Sequence, residues 1–76
     1  MTFEELLLVA VDVRTSRPAA DSPVLVWVAL PQWLWRSAGT REVFAWGPTA
    51  AAAHERAGAE VARLVARSGK NAPRPA

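Results

Sequence analysis

The chain contains no cysteine and a single histidine, His54. Without cysteine, neither a disulfide nor a zinc–thiolate centre can staple a small fold. Acidic residues are few and scattered, and none pair at a spacing that suits a metal or a general acid–base couple. There are four glycines, and they form no run that could cradle a phosphate. His54 has Glu55 beside it, but on a helix the two point to different faces, so His54 reads as a surface or boundary residue. These absences predict a non-enzymatic protein that needs no cofactor and no metal.

Long apolar runs are also missing. The longest uncharged stretch runs from Ser22 to Trp35 and is broken by Pro23 and Pro31, whereas a membrane span needs about 20 apolar residues. Glu4 and Glu5 stand where a secretory signal would carry positive charge. A cytoplasmic protein with no membrane segment is expected. There is little charge of one sign: nine Lys+Arg against seven Asp+Glu leave a net +2. Arg36 and Arg41, with the later set Arg63, Arg67, Lys70 and Arg74, are basic enough to touch phosphate. Acids interleave elsewhere, so these side chains read as solvated charge and nucleic acid is not favoured.

What is present points to association. Seventy-six residues make one domain, assigned to 1–69, followed by a basic, Pro-containing flexible tail at 70–76. A domain of this length buries only about 60% of the surface its unfolded chain exposes. Small domains without staples often gain stability by associating. A hydrophobic fraction of 51% and four tryptophans suggest apolar surface that a partner protein or a second copy covers.

The pattern along the chain gives an order of elements. Phe3 to Arg14 reads as a strand: Phe3, Glu5, Leu7, Val9, Val11 and Val13 share one nearly apolar face, and valine at 9, 11 and 13 favours extension. Thr15 to Ser22 reads as a loop around Pro18. Pro23 to Leu30 is a second strand with two apolar faces, Val24, Val26, Val28 and Leu30 against Leu25, Trp27 and Ala29. Pro31 to Gly39 has two readings. It is either a short helix, with Pro at its start and Gly past its end, or an extension of the second strand into a hairpin turn. The third strand follows at once, which favours extension. Thr40 to Trp46 is that strand, with Val43 and Ala45 on one face, Phe44 and Trp46 on the other, and Gly47 ending it.

Thr49 is a helix N-cap, with Pro48 keeping the chain extended before it. The helix runs to about Arg67 and Gly69 stops it. Its apolar stripe is Ala53, Ala57, Val61, Leu64 and Val65, and Glu55, Arg56, Glu60, Arg63 and Arg67 face water. Ala53, Ala57 and Gly58 let the helix lie close to the sheet. The expected fold is therefore an α+β domain of order β-β-β-α, a three-stranded antiparallel meander with one C-terminal helix packed on one face. The other sheet face, with Trp27 and with Leu6 and Leu8, is left uncovered and marks an interface.

The segment Gly47-Pro48-Thr49-Ala50-Ala51-Ala52-Ala53-His54-Glu55-Arg56-Ala57 resembles part of the HicB-like antitoxin family, in which a strand ends in Gly-x-Thr before a helix with small residues at this spacing. Leu30-Pro31 is similar to that family's Pro-containing strand end, and the likeness covers roughly Val24 to Leu64. The resemblance implies a protein that blocks a small toxin ribonuclease by surface contact. A phage-type inhibitor that masks a host or viral protein fits the same features. A DNA-binding alternative also exists, since β-β-β-α is the order of the integrase arm-binding domains that lay a sheet in the major groove. Those sheets carry outward basic side chains, and here the second strand carries none between Pro23 and Gln32. The expected contact residues are Trp27, Trp33, Trp35 and Arg36, acting on a protein partner in a homodimer or heteromer.

Overall fold

In the computed structural model, which describes residues 1–68, the chain runs α1 (Phe3–Val9), β1 (Asp12–Ser16), β2 (Val24–Ala29), α2 (Gln32–Ala38), β3 (Glu42–Gly47) and α3 (Ala50–Arg67). The strands form one antiparallel sheet in the order β1-β2-β3, which is the expected meander. The expected helix stop at Gly69 and the tail at 70–76 lie outside the described residues. Val24, Val26 and Val28 of β2 and Val43 and Ala45 of β3 are buried, as are Ala53, Ala57, Val61 and Leu64 of α3. This is the α+β arrangement the alternation and the helical stripe imply, with Val65 half-buried at the margin of the stripe. Burying each Val or Leu contributes about 1.5–3 kcal/mol.

Two sequence readings are corrected. The first is the long strand over Phe3 to Arg14. Its first half is helix α1, and only Asp12–Ser16 is strand. The cause is a capping box: Thr2 Oγ1 accepts the Glu5 N–H at 3.2 Å, and Glu5 Oε1 accepts the Thr2 N–H at 3.2 Å. Behind this cap, Glu4 to Leu8 are straight-chain or γ-branched residues that favour helix, while the β-branched valines come late. Leu6 is therefore buried under the sheet's helix-bearing face rather than displayed on the open one, and Leu8 projects from α1. The loop also begins later than expected, because Thr15 and Ser16 belong to β1.

The second correction concerns Pro31 to Gly39, which is helix α2 and not an extension of β2. Leu34 and Trp35 N–H both donate to the Pro31 carbonyl, and the turn closes on Gly39 in the left-handed conformation at φ 74°. Leu34 is fully buried, so the helical turn also supplies a core side chain. Both α1 and α2 contact α3, and Leu6 and Leu34 join its cluster. The three helices thus form one layer on one side of the sheet.

The strand-to-helix junction sets how closely α3 lies. Thr49 Oγ1 accepts the Ala52 N–H at 3.1 Å, as its sequence position predicts. Gly47 is the last residue of β3 and pairs with Val24. A Cβ there would stand 2.5 Å from the Ala53 nitrogen, so only glycine lets the first turn of α3 fold back onto the strand. Gly58 has a different role from the one expected. It abuts the Met1 carbonyl rather than the sheet, and so admits the start of the chain against α3.

Candidate functional site

Alternation along each strand sends successive side chains to opposite faces, and residues opposite each other in register share a face. The register therefore assigns three cross-strand rows to the face away from the helices: Asp12–Ala29–Glu42, Arg14–Trp27–Phe44 and Ser16–Leu25–Trp46. No described element covers this face. Phe44 is 58% and Trp46 46% exposed, which is high for large apolar side chains in the middle of a strand. Leu25 and Trp27 on the central strand are half-buried.

Charged neighbours fix the central side chain. Trp27 Nε1 donates to Glu42 Oε2 at 2.5 Å, and the Arg14 guanidinium stands 5.6 Å from the Trp27 ring. Arg14 Nε in turn donates to Asp12 Oδ2 at 3.0 Å. These contacts are solvent-facing, so each contributes little to stability. Their effect is to orient the indole, with its N–H satisfied and its apolar body on the face. The surface that results is an apolar strip along β2 and β3 with one cation and two carboxylates at its margins.

The four expected contact residues occupy two separate places. Trp27 is at the centre of the open face. Trp33, Trp35 and Arg36 are on α2, with Trp33 and Trp35 packed against the core and Arg36 exposed. The Trp35 N–H donates to the Leu30 carbonyl, and the Arg41 guanidinium lies 4.4 Å from the Trp35 ring. Trp35, Arg36 and Arg41 line one open hollow of about 320 Å³. A second hollow, of about 490 Å³, lies beside β3, between Thr40, Glu42 and Phe44 and the α3 residues Arg56, Arg63 and Arg67. Glu60 pairs with Arg63 beside it, so its charge is mixed.

Phe44 and the exposure of Trp46 were not singled out by the sequence reading. The signal was present, since Ala45 and Gly47 alternate with them. The face with the small residues is the one a helix can approach, so the aromatic face must be the open one. His54 also has a role the sequence did not announce. Its Nε2 is 2.8 Å from Thr15 Oγ1, and its ring stacks on Phe3 with centroids 4.0 Å apart. One side chain of α3 thereby joins α1 and β1. Among the described residues no carboxylate bonds its imidazole, and no group of side chains could hold a metal ion. No described helix is long and apolar enough to cross a membrane. No protein-family model matches the chain, and no curated protein or solved structure is significantly similar to it.

Proposed function

We propose that this chain is a small non-enzymatic interaction module that binds a partner protein through the open face of its sheet, and so masks or inhibits that partner. The observation that carries the reading is the separation of layers. All three helices pack on one face, while Leu25, Trp27, Phe44 and Trp46 stand on the other with no cover. Apolar and aromatic side chains at the centre, with charge at the rim, is the anatomy of a protein–protein interface. Tryptophan in such a patch is among the side chains that dominate binding energy. An antitoxin-like and a phage-inhibitor-like protein would both use this face in the same way.

The charge on the face favours protein over DNA. Among the described residues Arg14 is its only cation, and it already bonds Asp12, while Glu42 adds a second carboxylate. A sheet laid in the major groove would need cations for the phosphates. The test is a tagged pull-down from a lysate of the source organism, with and without nuclease. A stoichiometric protein that survives nuclease and is lost with Phe44→Ser/Trp46→Ser is the expected result. Nucleic acid alone, removed by nuclease and leaving no protein, would overturn the reading.

A further inference from the structure

The two edges of the sheet differ, and the difference points to a second copy of this chain. On β3, the Leu30 N–H donates to the Arg41 carbonyl. Backbone groups of an antiparallel strand alternate in direction, so Glu42, Phe44 and Trp46 turn theirs to the outer edge. Side chains occupy much of that edge. Thr40 Oγ1 donates to the Glu42 carbonyl at 3.0 Å and accepts its N–H at 3.4 Å. Arg56 Nη1 donates to the Trp46 carbonyl at 2.7 Å. An edge occupied in this way is guarded against another strand.

β1 has no such guard among the described residues. The same alternation turns Leu25, Trp27 and Ala29 of β2 toward β1, where they face Ser16, Arg14 and Asp12. Val13 and Thr15 therefore turn their N–H and C=O groups outward. Leu8 and Val11, exposed at 86% and 71%, lie in the segment that leads into this edge.

We infer that β1 pairs antiparallel with β1 of a second copy, about a two-fold axis through Val13, to make one continuous six-stranded sheet. The charges select this register. With Val13 opposite Val13 of the second copy, the two valines exchange their backbone hydrogen bonds. Asp12 then stands opposite Arg14 of the second copy, and symmetry makes that pair twice. These are the non-hydrogen-bonded positions, where cross-strand side chains come closest. Arg14 and Asp12 of one chain already bond on the open face, so pairing joins them into a four-membered alternating cluster. A register centred on Arg14 would instead oppose two guanidinium groups. The two open faces become one surface of twice the width. This inference does not rest on the proposed partner-binding role.

Charge reversal with mixing tests it, read by sedimentation of the purified full chain over a concentration series. The wild-type chain is expected to shift from one-chain to two-chain mass. Asp12→Arg and Arg14→Asp should each raise the dimer Kd by about tenfold or more. Both side chains are solvent-facing, and circular dichroism checks that each variant stays folded. Mixed together, the two variants should pair with each other more tightly than either pairs with itself, because the crossed pairs are again opposite in sign. The intrachain Asp12–Arg14 bond is lost in both variants, so recovery on mixing reports the interchain contact alone. A wild-type chain that stays monomeric, or a dimer indifferent to both reversals, or no recovery on mixing, would overturn the inference. Because no partner protein is present, this outcome is separate from that of the pull-down.

Discussion

The two faces of one three-stranded sheet use the same backbone to opposite ends. The helix-bearing face is built from small and β-branched residues: Val24, Val26, Val28, Val43, Ala45 and Gly47, all buried. The open face sets larger, flatter side chains on the same strands one residue along. Small residues allow close approach, and α3 replies with Ala53 and Ala57 at the contact. The open face cannot receive a helix at that distance, because Trp27, Phe44 and Trp46 stand up from it. In a chain of 76 residues, half of the available sheet surface is thus kept out of the core. Stability and recognition are separated by strand parity.

That separation can be broken from the covered side with the largest effect. Ala57 is fully buried on α3, and Ala57→Arg would place an unpaired charge between helix and sheet. It should cost about 4 kcal/mol or more, read as loss of the cooperative thermal transition by circular dichroism. Gly47→Ala should come next, at about 1–3 kcal/mol, because the added methyl meets the backbone of α3 rather than a side chain that can move. On the open side, Phe44→Ser with Trp46→Ser should change stability by less than about 1 kcal/mol per site in chemical denaturation. The same pair should weaken partner binding by about 2 kcal/mol or more. A large loss of stability from that double variant would show that the open face is a core face after all.

The smallest effect is expected at the start of α1. The Glu5 carboxyl is held below its ordinary 4.5 by the hydrogen bond it accepts from the Thr2 backbone N–H, with the Thr2 hydroxyl contact adding to this. A depressed value favours the folded form when the carboxyl is ionised. The contribution is complete above the ordinary value and fades as pH falls through the lowered one. Protonation should therefore fray α1 before the sheet melts, seen as early loss of amide protection in Leu6 and Leu7. Glu5→Gln should remove that acid dependence while leaving the open face unchanged.

Legibility followed how far each element depends on local signals. β2, β3 and α3 were readable, because alternation ends at Gly47 and a capped helical stripe begins at Thr49. α1 was not read, because Leu6-Leu7-Leu8-Val9 suits a buried strand as well as a helix. The deciding feature was the pair Thr2 and Glu5, three residues apart. For α2 the local sequence allows both a helix and an extended strand, and burial of Leu34 decides between them. In the candidate site, Trp27 was legible as a residue on an uncovered face. Trp33 and Trp35 sit at the same spacing as strand neighbours, but on a helix that spacing turns both toward the core margin.

The sequence by itself determined the number of strands, their order, and the position of the long helix, since periodicity, glycine, proline and N-cap chemistry act over a few residues. It also determined that each strand has two different faces. Only the tertiary structure decided how the helix-bearing face is covered, by three helices rather than one. The cause is non-local: Gly47 lets α3 fold back toward the side of Val43 and Ala45, and α1 and α2 complete the layer there through Leu6 and Leu34. The guarded edge of β3 and the open edge of β1 were likewise decided only in three dimensions, because Arg56 reaches the Trp46 carbonyl across the turn between strand and helix.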